Sequence, residues 1–600
     1  MEPYTYTPLP PGHIRLVTLT LSPASTLSAT LTIVPFNEDD PQTYTALSYV
    51  WGPPTFSYPL ETNNSSVLYI TPTLSSALHS IIHHSPPGTP LWIDQICINQ
   101  ADNAERSVQV KLMNTLYNRA ARVIAYLGPS VPSTAMAVSM VERVGKIARD
   151  KVGDMFLWDS EQYHPEELKT VEEVSDERSA ELGVPFTDVE AWDAFSEFYD
   201  REWYERVWIV QEILPARNAV VICGSFSVGW ELVKHAAVWY RYKAGRVSAR
   251  HKRKVDGIGL TCGLDLSWNL RMGTEYLKEL MGQKTNPTYK WELLRLLRTF
   301  RGRKATDPRD KVYALLGLSA GGWDVPKGWV DYDKDVKRVF AETARMLLKS
   351  GVGNAKLDVL LDARPTTCSC EGCPVEPDWP SWVPDWRRHF GEGCEWGVGR
   401  SYAEWHQEYE CGKYEPEEEP KDLFALRTEG VILGWVTYRS PYSHLQEIVM
   451  DGHMRETRNV CVDLVSEYPT GEDVDIAVAM TMVGGRLPEP LKEKGTSVEV
   501  YAEKYLDFLD VLMMPWNSDE EERVRYEAWL PYEKLGLDNE WLQAVLQAYC
   551  ERRLFVLDKG YVGLGNHHME EGDVIAKLAG LSVPCVLRPG VEPNEYEFVG

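Results

Sequence analysis

Tyr204, Trp208 and Glu212 recur every fourth residue near the end of VEAWDAFSEFYDREWYERVWIVQEIL (189–214). On a continuous helix over 203–214 they would share one stripe. Two aromatic faces and a carboxylate in a row suit a flat cationic ring, stacked on the aromatics with the acid beside it. The competing reading pairs Glu212 with Arg206 or Arg217 and leaves Trp208 in the core. A second set of groups lies in LWIDQICINQ (91–100), where Asp94, Gln95, Cys97, Asn99 and Gln100 interrupt strand-prone residues. Each needs a partner, because a buried polar group left unpaired costs roughly 1–3 kcal/mol. Asp94 and Asn99 either end a strand beneath a ligand or bind backbone groups and cap the following helix. Arg106 either binds a phosphate at that helix's N-terminus or pairs with Asp94 or Glu105. Ser48, Tyr49, Trp51 and Gly52 form a third set, in which Gly52 allows a turn and a close approach and the aromatics line a site or pack in the core. Cys97 has no histidine partner in sequence, which argues against a nucleophilic thiol.

Metal chemistry is weakly signalled. Cys370 and Cys373 of CSCEGC have zinc-type spacing, and Cys368, His389 or Cys394 would have to complete a site that lacks a second CxxC. The expectation is no metal and no cofactor.

The elements that must position these groups alternate. HIRLVTLTLS and LSATLTIVPF read as two strands, TYTALSYVWGPP (43–54) as a third that stops at Gly52-Pro53-Pro54, and LSSALHSII (74–82) as a helix. After the strand at 91, Asp102 caps a helix with Glu105 three residues on, a variant of the capping box. Val108, Leu112, Leu116 and Ala120 are the expected apolar face. RVIAYLG (122–128) and NAVVICG (218–224) are strands. In TDPRDKVYALLGL (306–318), Asp307 caps, Pro308 enters the first turn and Gly317 ends the helix. Strand–helix alternation over 43–128 implies an α/β domain with a mostly parallel sheet, helical insertions, and ligands at the carboxyl ends of the strands. The expected division is a β-hairpin at 1–43, a sheet domain at 44–224 with an acidic insertion at 145–190, a helical extension at 225–330, and an α+β region at 331–600.

Together these segments resemble the fungal heterokaryon incompatibility (HET) domain proteins. The resemblance rests on YTALSYVWGPP, LWIDQICINQADNAERSVQVKLMNTLYNRAARVIAYLG, REWYERVWIVQEI, ATDPRDKVYALLGLS and, near the end, GYVGLGNHHMEEGDVIAKLAG. It implies a role in non-self recognition and programmed cell death after fusion of unlike hyphae. It also implies a remote likeness to Toll/interleukin-receptor (TIR) domains, hence a flavodoxin/TIR-like sheet. Some TIR domains hydrolyse NAD with a glutamate in a W-C-x-x-E helix, and VWIVQEI places Trp208 and Glu212 similarly with spacing that differs by one residue. On that implication NAD is a substrate, Glu212 is the catalytic carboxylate, and Ser48, Tyr49, Trp51, Gly52, Asp94, Asn99, Arg106, Tyr204 and Trp208 surround it. The alternative is a non-catalytic TIR-like scaffold that signals by self-association or through a partner protein. Compared with long family members, the chain is expected to be shortened at its C-terminus.

Bulk composition agrees with two or three folded domains in 600 residues, 44% hydrophobic and 25% charged. A formal net charge of -26 argues against nucleic acid as partner. The 11 scattered cysteines, with neither a signal peptide nor a membrane segment, fit reduced thiols and a cytoplasmic protein. RHKRK (250–254) reads as a solvated face rather than an import signal.

Overall fold

The computed structural model describes residues 2–23, 26–37, 43–62, 65–152, 176–213, 215–243, 293–318, 329–350, 356–363, 378–388, 414, 422–441, 453–482, 500, 506–507, 552–581 and 583–600. The zinc-spaced cysteines, RHKRK and residues 153–175 of the expected acidic insertion lie outside these residues. The chain divides into two compact units, Met1–Asp335 and Val336–Gly600.

The first unit is built on nine strands: β1 (His13–Leu21), β2 (Leu27–Pro35), β3 (Thr45–Tyr49), β4 (Tyr58–Thr62), β5 (Ser66–Ile70), β6 (Pro90–Trp92), β7 (Arg122–Tyr126), β8 (Ala219–Cys223) and β9 (Phe226–Gly229). They form one sheet in the order β5-β4-β2-β1-β6-β3-β7-β8-β9. The expected mostly parallel sheet is in fact mixed. The pairs β6–β3, β3–β7, β7–β8 and β2–β4 are parallel, and the other neighbours are antiparallel. The reason is connection length. β4–β5 and β8–β9 are joined by loops too short for a parallel crossover, and the β1–β2 hairpin enters the middle of the sheet beside β6. Strand β9 also carries the sheet past the boundary expected at 224.

β3 is buried along its whole length, and β7 and β8 at all but their first residue, as strands covered on both faces must be. The covering helices of this region are α1 (Pro72–Ile81), the single turn α2 (Asp94–Cys97), α3 (Asn103–Arg119), α4 (Thr134–Val152), α5 (Asp176–Glu181), α6 (Val189–Tyr199), α7 (Ile209–Ile213) and α8 (Trp230–Lys243). Farther along are α9 (Leu293–Thr299) and α10 (Asp310–Leu316). Helix α4 runs well into the stretch expected as an acidic insertion. Gly145 lets it lie against α8, since a Cβ there would come 2.5 Å from the Leu232 carbonyl oxygen.

Two helix readings are corrected. On α3 the buried residues are Gln109, Val110, Met113, Leu116 and Tyr117, whereas Val108 is exposed. Spacing at every fourth residue set the face one step off, because the two polar or aromatic members, Gln109 and Tyr117, did not count as apolar. Residues 203–214 are not one helix. A 3-10 turn spans Glu202–Glu205, Arg206 is extended, and α7 begins only at Ile209. Backbone pairing explains the break: the Val207 N–H donates to the Lys304 carbonyl at 2.9 Å and the Lys304 N–H to the Glu205 carbonyl at 2.6 Å.

The second unit contains α11 (Val336–Ser350), α12 (His453–Leu464) and α13 (Val474–Met482). Its strands are β10 (Gly430–Arg439), β11 (Arg552–Leu557), β12 (Val562–Asn566), β13 (Val574–Leu578), β14 (Cys585–Pro589) and β15 (Tyr596–Phe598). They form a wholly antiparallel sheet, β12-β11-β10-β13-β14-β15, over a core that includes Val436, Phe555, Met569, Ile575 and Val586. Among the described residues no helix is long and apolar enough to cross a membrane.

Candidate active site

The polar groups of 91–100 find their partners at the carboxyl ends of β3 and β6. Strand β6 stops at Trp92, and Asp94 opens α2. One Asp94 carboxylate oxygen accepts from its neighbour's N–H, that of Gln95, at 2.7 Å, and the other from the Trp51 indole N–H at 2.7 Å. The Gln100 amide donates to the Asp94 carbonyl at 2.9 Å, and Gln95 accepts from the Thr71 N–H at 3.0 Å. Asn99 binds backbone in a turn ahead of α3 rather than capping it. Its side-chain oxygen accepts from the Ala101 N–H at 3.3 Å, and its own N–H donates to Glu105 at 2.7 Å.

Glu105 does not reach back to Asp102 as a capping box would. It forms an ion pair, almost wholly buried, with Arg15 of β1. Asp102 caps α3 alone, accepting from Ala104 and Glu105. The Cys97 thiol is buried, and that burial pushes it up to about 12, so no thiolate forms there near neutrality.

Glu212 sits on α7 with 1% of its surface exposed, facing the last turn of β3. The Ser48 hydroxyl donates to its carboxylate in a very short contact, and the Trp203 indole N–H donates to the Ser48 oxygen at 2.8 Å. Arg206 donates to the Tyr49 carbonyl and lies near both Glu212 and Asp94. Burial is the largest influence on Glu212 and raises its carboxyl to about 7. The Arg206 charge and the Ser48 hydrogen bond oppose that rise, while Asp94 adds to it. Asp94 is raised too, first by burial, against Arg206 and the Trp51 bond. The buried Tyr49 hydroxyl faces Asp94 without a well-formed hydrogen bond, and its phenol is raised by burial and by the Asp94 charge. Gly52 is needed where it stands: its φ is +68°, and a Cβ would meet the Thr73 hydroxyl at 2.4 Å.

Ser48, Tyr49, Trp51, Asp94 and Glu212 are therefore gathered in one cluster, and the broken helix removes the expected stripe. Tyr204 is fully buried among Phe198, Tyr199 and Trp203. Trp208 turns to Asp310, donating its indole N–H at 2.8 Å. Arg106 stacks on the Tyr332 ring at 3.9 Å rather than on a carboxylate. Arg206 was read from sequence only as a partner for Glu212, and Trp203 and Asp310 were not singled out, although Asp310 carries a signal: with Lys311 it opens the VYALL run with charge. Its carboxyl is raised to about 7, first by burial, against hydrogen bonds from Trp208 and Tyr332. Among the described residues no group of three or more His, Cys, Asp or Glu could hold a metal ion.

Residues 44–212 match the family described as heterokaryon incompatibility protein (HET), and residues 491–600 match the Het-6 beta-barrel domain. Among curated proteins, the heterokaryon incompatibility protein 6, OR allele, of Neurospora crassa is 25% identical over 660 residues, covering 98% of this chain and 93% of that protein. No solved structure matches the chain.

Proposed function

We propose that this chain, whose residues 44–212 match the heterokaryon incompatibility (HET) family, is an effector of fungal non-self recognition and cell death that acts by cleaving the nicotinamide–ribose bond of NAD at the Glu212 cluster. The observation that carries the chemical reading is the placement of Glu212: a buried carboxylate, answered by a neutral hydroxyl, at the carboxyl end of a parallel strand. In chain order the four parallel strands lie second, first, third, fourth (β6, β3, β7, β8). Flavodoxin-like sheets begin with that order, and their ligands bind at the reversal between the first and third strands. Ser48 and Tyr49 end the first of these strands.

The chemistry asks little of the protein. Nicotinamide leaves as a neutral pyridine, so no strong acid is required. An ionised Glu212 stabilises the oxocarbenium-like ribose that develops. Asp94 adds negative charge on the same edge, and Arg206 holds both carboxylates in place through its field and its bond to the Tyr49 carbonyl. Trp51, half-buried and bonded to Asp94, offers an aromatic surface beside the acids, a place the sequence suggested for Trp208. Because Glu212 must be ionised, turnover rises with pH through about 7.

The test is nicotinamide release from NAD by purified protein, with Glu212→Gln alongside and circular dichroism on both. Equal release by the two removes Glu212 from the mechanism.

One observation favours the scaffold reading instead. The Trp203–Ser48–Glu212 chain of hydrogen bonds is closed on itself, and Glu212 is 1% exposed. If the wild type, concentrated enough to self-associate in sedimentation, releases no nicotinamide, the cluster is a structural lock and the scaffold reading stands.

A further inference from the structure

The turn that carries Glu212 is five residues long, too short to hold its own orientation. Its direction is set from outside. The Trp208 carbonyl accepts from the N–H of Gln211 at 3.1 Å and of Glu212 at 3.3 Å, so the place of Trp208 decides the place of the Glu212 backbone. The Trp208 indole is in turn held by Asp310, whose second oxygen accepts from the Tyr332 hydroxyl at 2.8 Å. Just before Asp310, the same stretch grips the entry to the turn. Arg303 donates to the Tyr204 carbonyl at 2.8 Å, and Lys304 and Val207 share a backbone bond.

A buried carboxylate is a costly acceptor for an indole and a phenol. A neutral oxygen would accept the same bonds without the penalty of desolvating a charge. What the carboxylate adds is two strong acceptor sites at a fixed angle, tying α7, α10 and Tyr332 into one rigid joint. The groups that hold the turn from outside, Arg303, Lys304, Asp310 and Tyr332, lie beyond residue 212, where the HET match ends.

We propose that Asp310 is a positioning residue for Glu212: through Trp208 it sets the orientation in which the Glu212 carboxylate meets Ser48. Asp310 touches no reacting group. The activity arm of its test rests on the reading of Glu212 given above, and the spectroscopic arm does not.

The experiment uses the full chain with 15N-indole tryptophan and 13C-carboxyl glutamate, the Trp208 and Glu212 signals being assigned with Trp208→Phe and Glu212→Gln. The charges acting on Glu212 are Arg206 and Asp94, so a change in its titration on removal of Asp310 reports movement rather than lost repulsion. In Asp310→Ala the Trp208 indole signal shifts toward the solvent position, and the Glu212 midpoint leaves its wild-type value of about 7. Turnover falls about tenfold with KM within about twofold, the effect of a small misplacement of a reacting group. Asp310→Asn, which keeps the shape and one acceptor, recovers part of both effects.

A Glu212 midpoint and kcat that stay at wild-type values while the indole signal moves would overturn the proposal. If Asp310→Ala does not fold, Asp310→Asn and Trp208→Phe carry the same test, and a wild-type Glu212 midpoint in both overturns it as well. If the wild type releases no nicotinamide, the NAD reading fails, and the indole and carboxyl signals still decide the positioning role.

Discussion

Each unit buries carboxylates behind arginines, as Arg15 clasps Glu105 in the first, but the first unit also answers two of its buried carboxylates with neutral donors. In the second unit Asp573 is clasped by Arg588, with contacts of 2.9 and 3.1 Å to its two oxygens, and Asp385 is met by both Arg387 and Arg388. In the first unit Glu212 receives a serine hydroxyl, and Asp310 receives an indole and a phenol. An arginine clasp neutralises the charge and fixes it. A neutral donor satisfies the oxygens without bringing a cation into contact, and burial outweighs the nearby charges of Arg206 and Arg106, pushing the Glu212 and Asp310 carboxyls up to about 7. Paired carboxylates of the first kind are joints. Those of the second kind can change protonation near neutrality, whether they are proposed to meet substrate, as Glu212 is, or to position a neighbour, as Asp310 is.

The largest effect should come from breaking a clasp. Arg588→Met leaves Asp573 buried without its cation and should destabilise the second unit by roughly 3–5 kcal/mol in urea unfolding. A loss below about 1 kcal/mol, the worth of an exposed pair, would erase the contrast between clasped and neutrally bonded carboxylates.

Next comes Glu212→Gln, where stability and activity should part. Nicotinamide release should fall on the order of 10²–10³-fold, as for loss of one charge-stabilising group. At pH 8 the variant should be at least as stable as wild type, because a neutral amide replaces a desolvated charge. Marked destabilisation at pH 8 would make Glu212 a joint like Asp573.

The third prediction concerns pH. A carboxyl raised in the folded state keeps its proton where the unfolded chain has already released it. Its stabilising contribution is therefore complete below about pH 4 and is lost as pH rises to about 7. For Glu212 and Asp310 this amounts to on the order of 3–4 kcal/mol each. Asp307, lowered by hydrogen bonds from Arg309 against its burial, contributes in the opposite sense, losing stability on acidification. Urea unfolding from pH 4 to 8 should show a downward slope in wild type that flattens in Glu212→Gln/Asp310→Asn. Identical slopes in the two proteins would show that neither group titrates in this range.

The smallest effect is that of Ser48→Ala, which strips one donor from Glu212 and leaves the Trp203 indole N–H unpaired. A cost of about 1–3 kcal/mol is expected. The Glu212 carboxyl should rise further, moving the rise of turnover to higher pH. An unchanged pH profile would mean that the short Ser48 contact does not tune the acid.

Local signals in the chain were enough for much of the architecture. β3, β7 and β8 announce themselves as short apolar runs, and the α3 cap at Asp102 and the turn at Gly52 follow from backbone chemistry alone. Gly52, Asp94, Ser48 and Glu212 were legible as candidates because polar or special residues at strand ends need a reason. What sequence could not decide was whatever depends on a partner distant along the chain. The antiparallel place of β1, with Val17 opposite Leu91, depends on pairing across more than half of the first 130 residues. The helix over 203–214 breaks because Lys304, far downstream, takes the backbone bonds that would have continued it. Ser48 and Glu212, and Trp208 and Asp310, are likewise far apart along the chain, by 164 and 102 residues. Periodicity reports which face of an element is apolar. Which polar group meets another is settled by close packing between elements, and that information resides only in the folded chain.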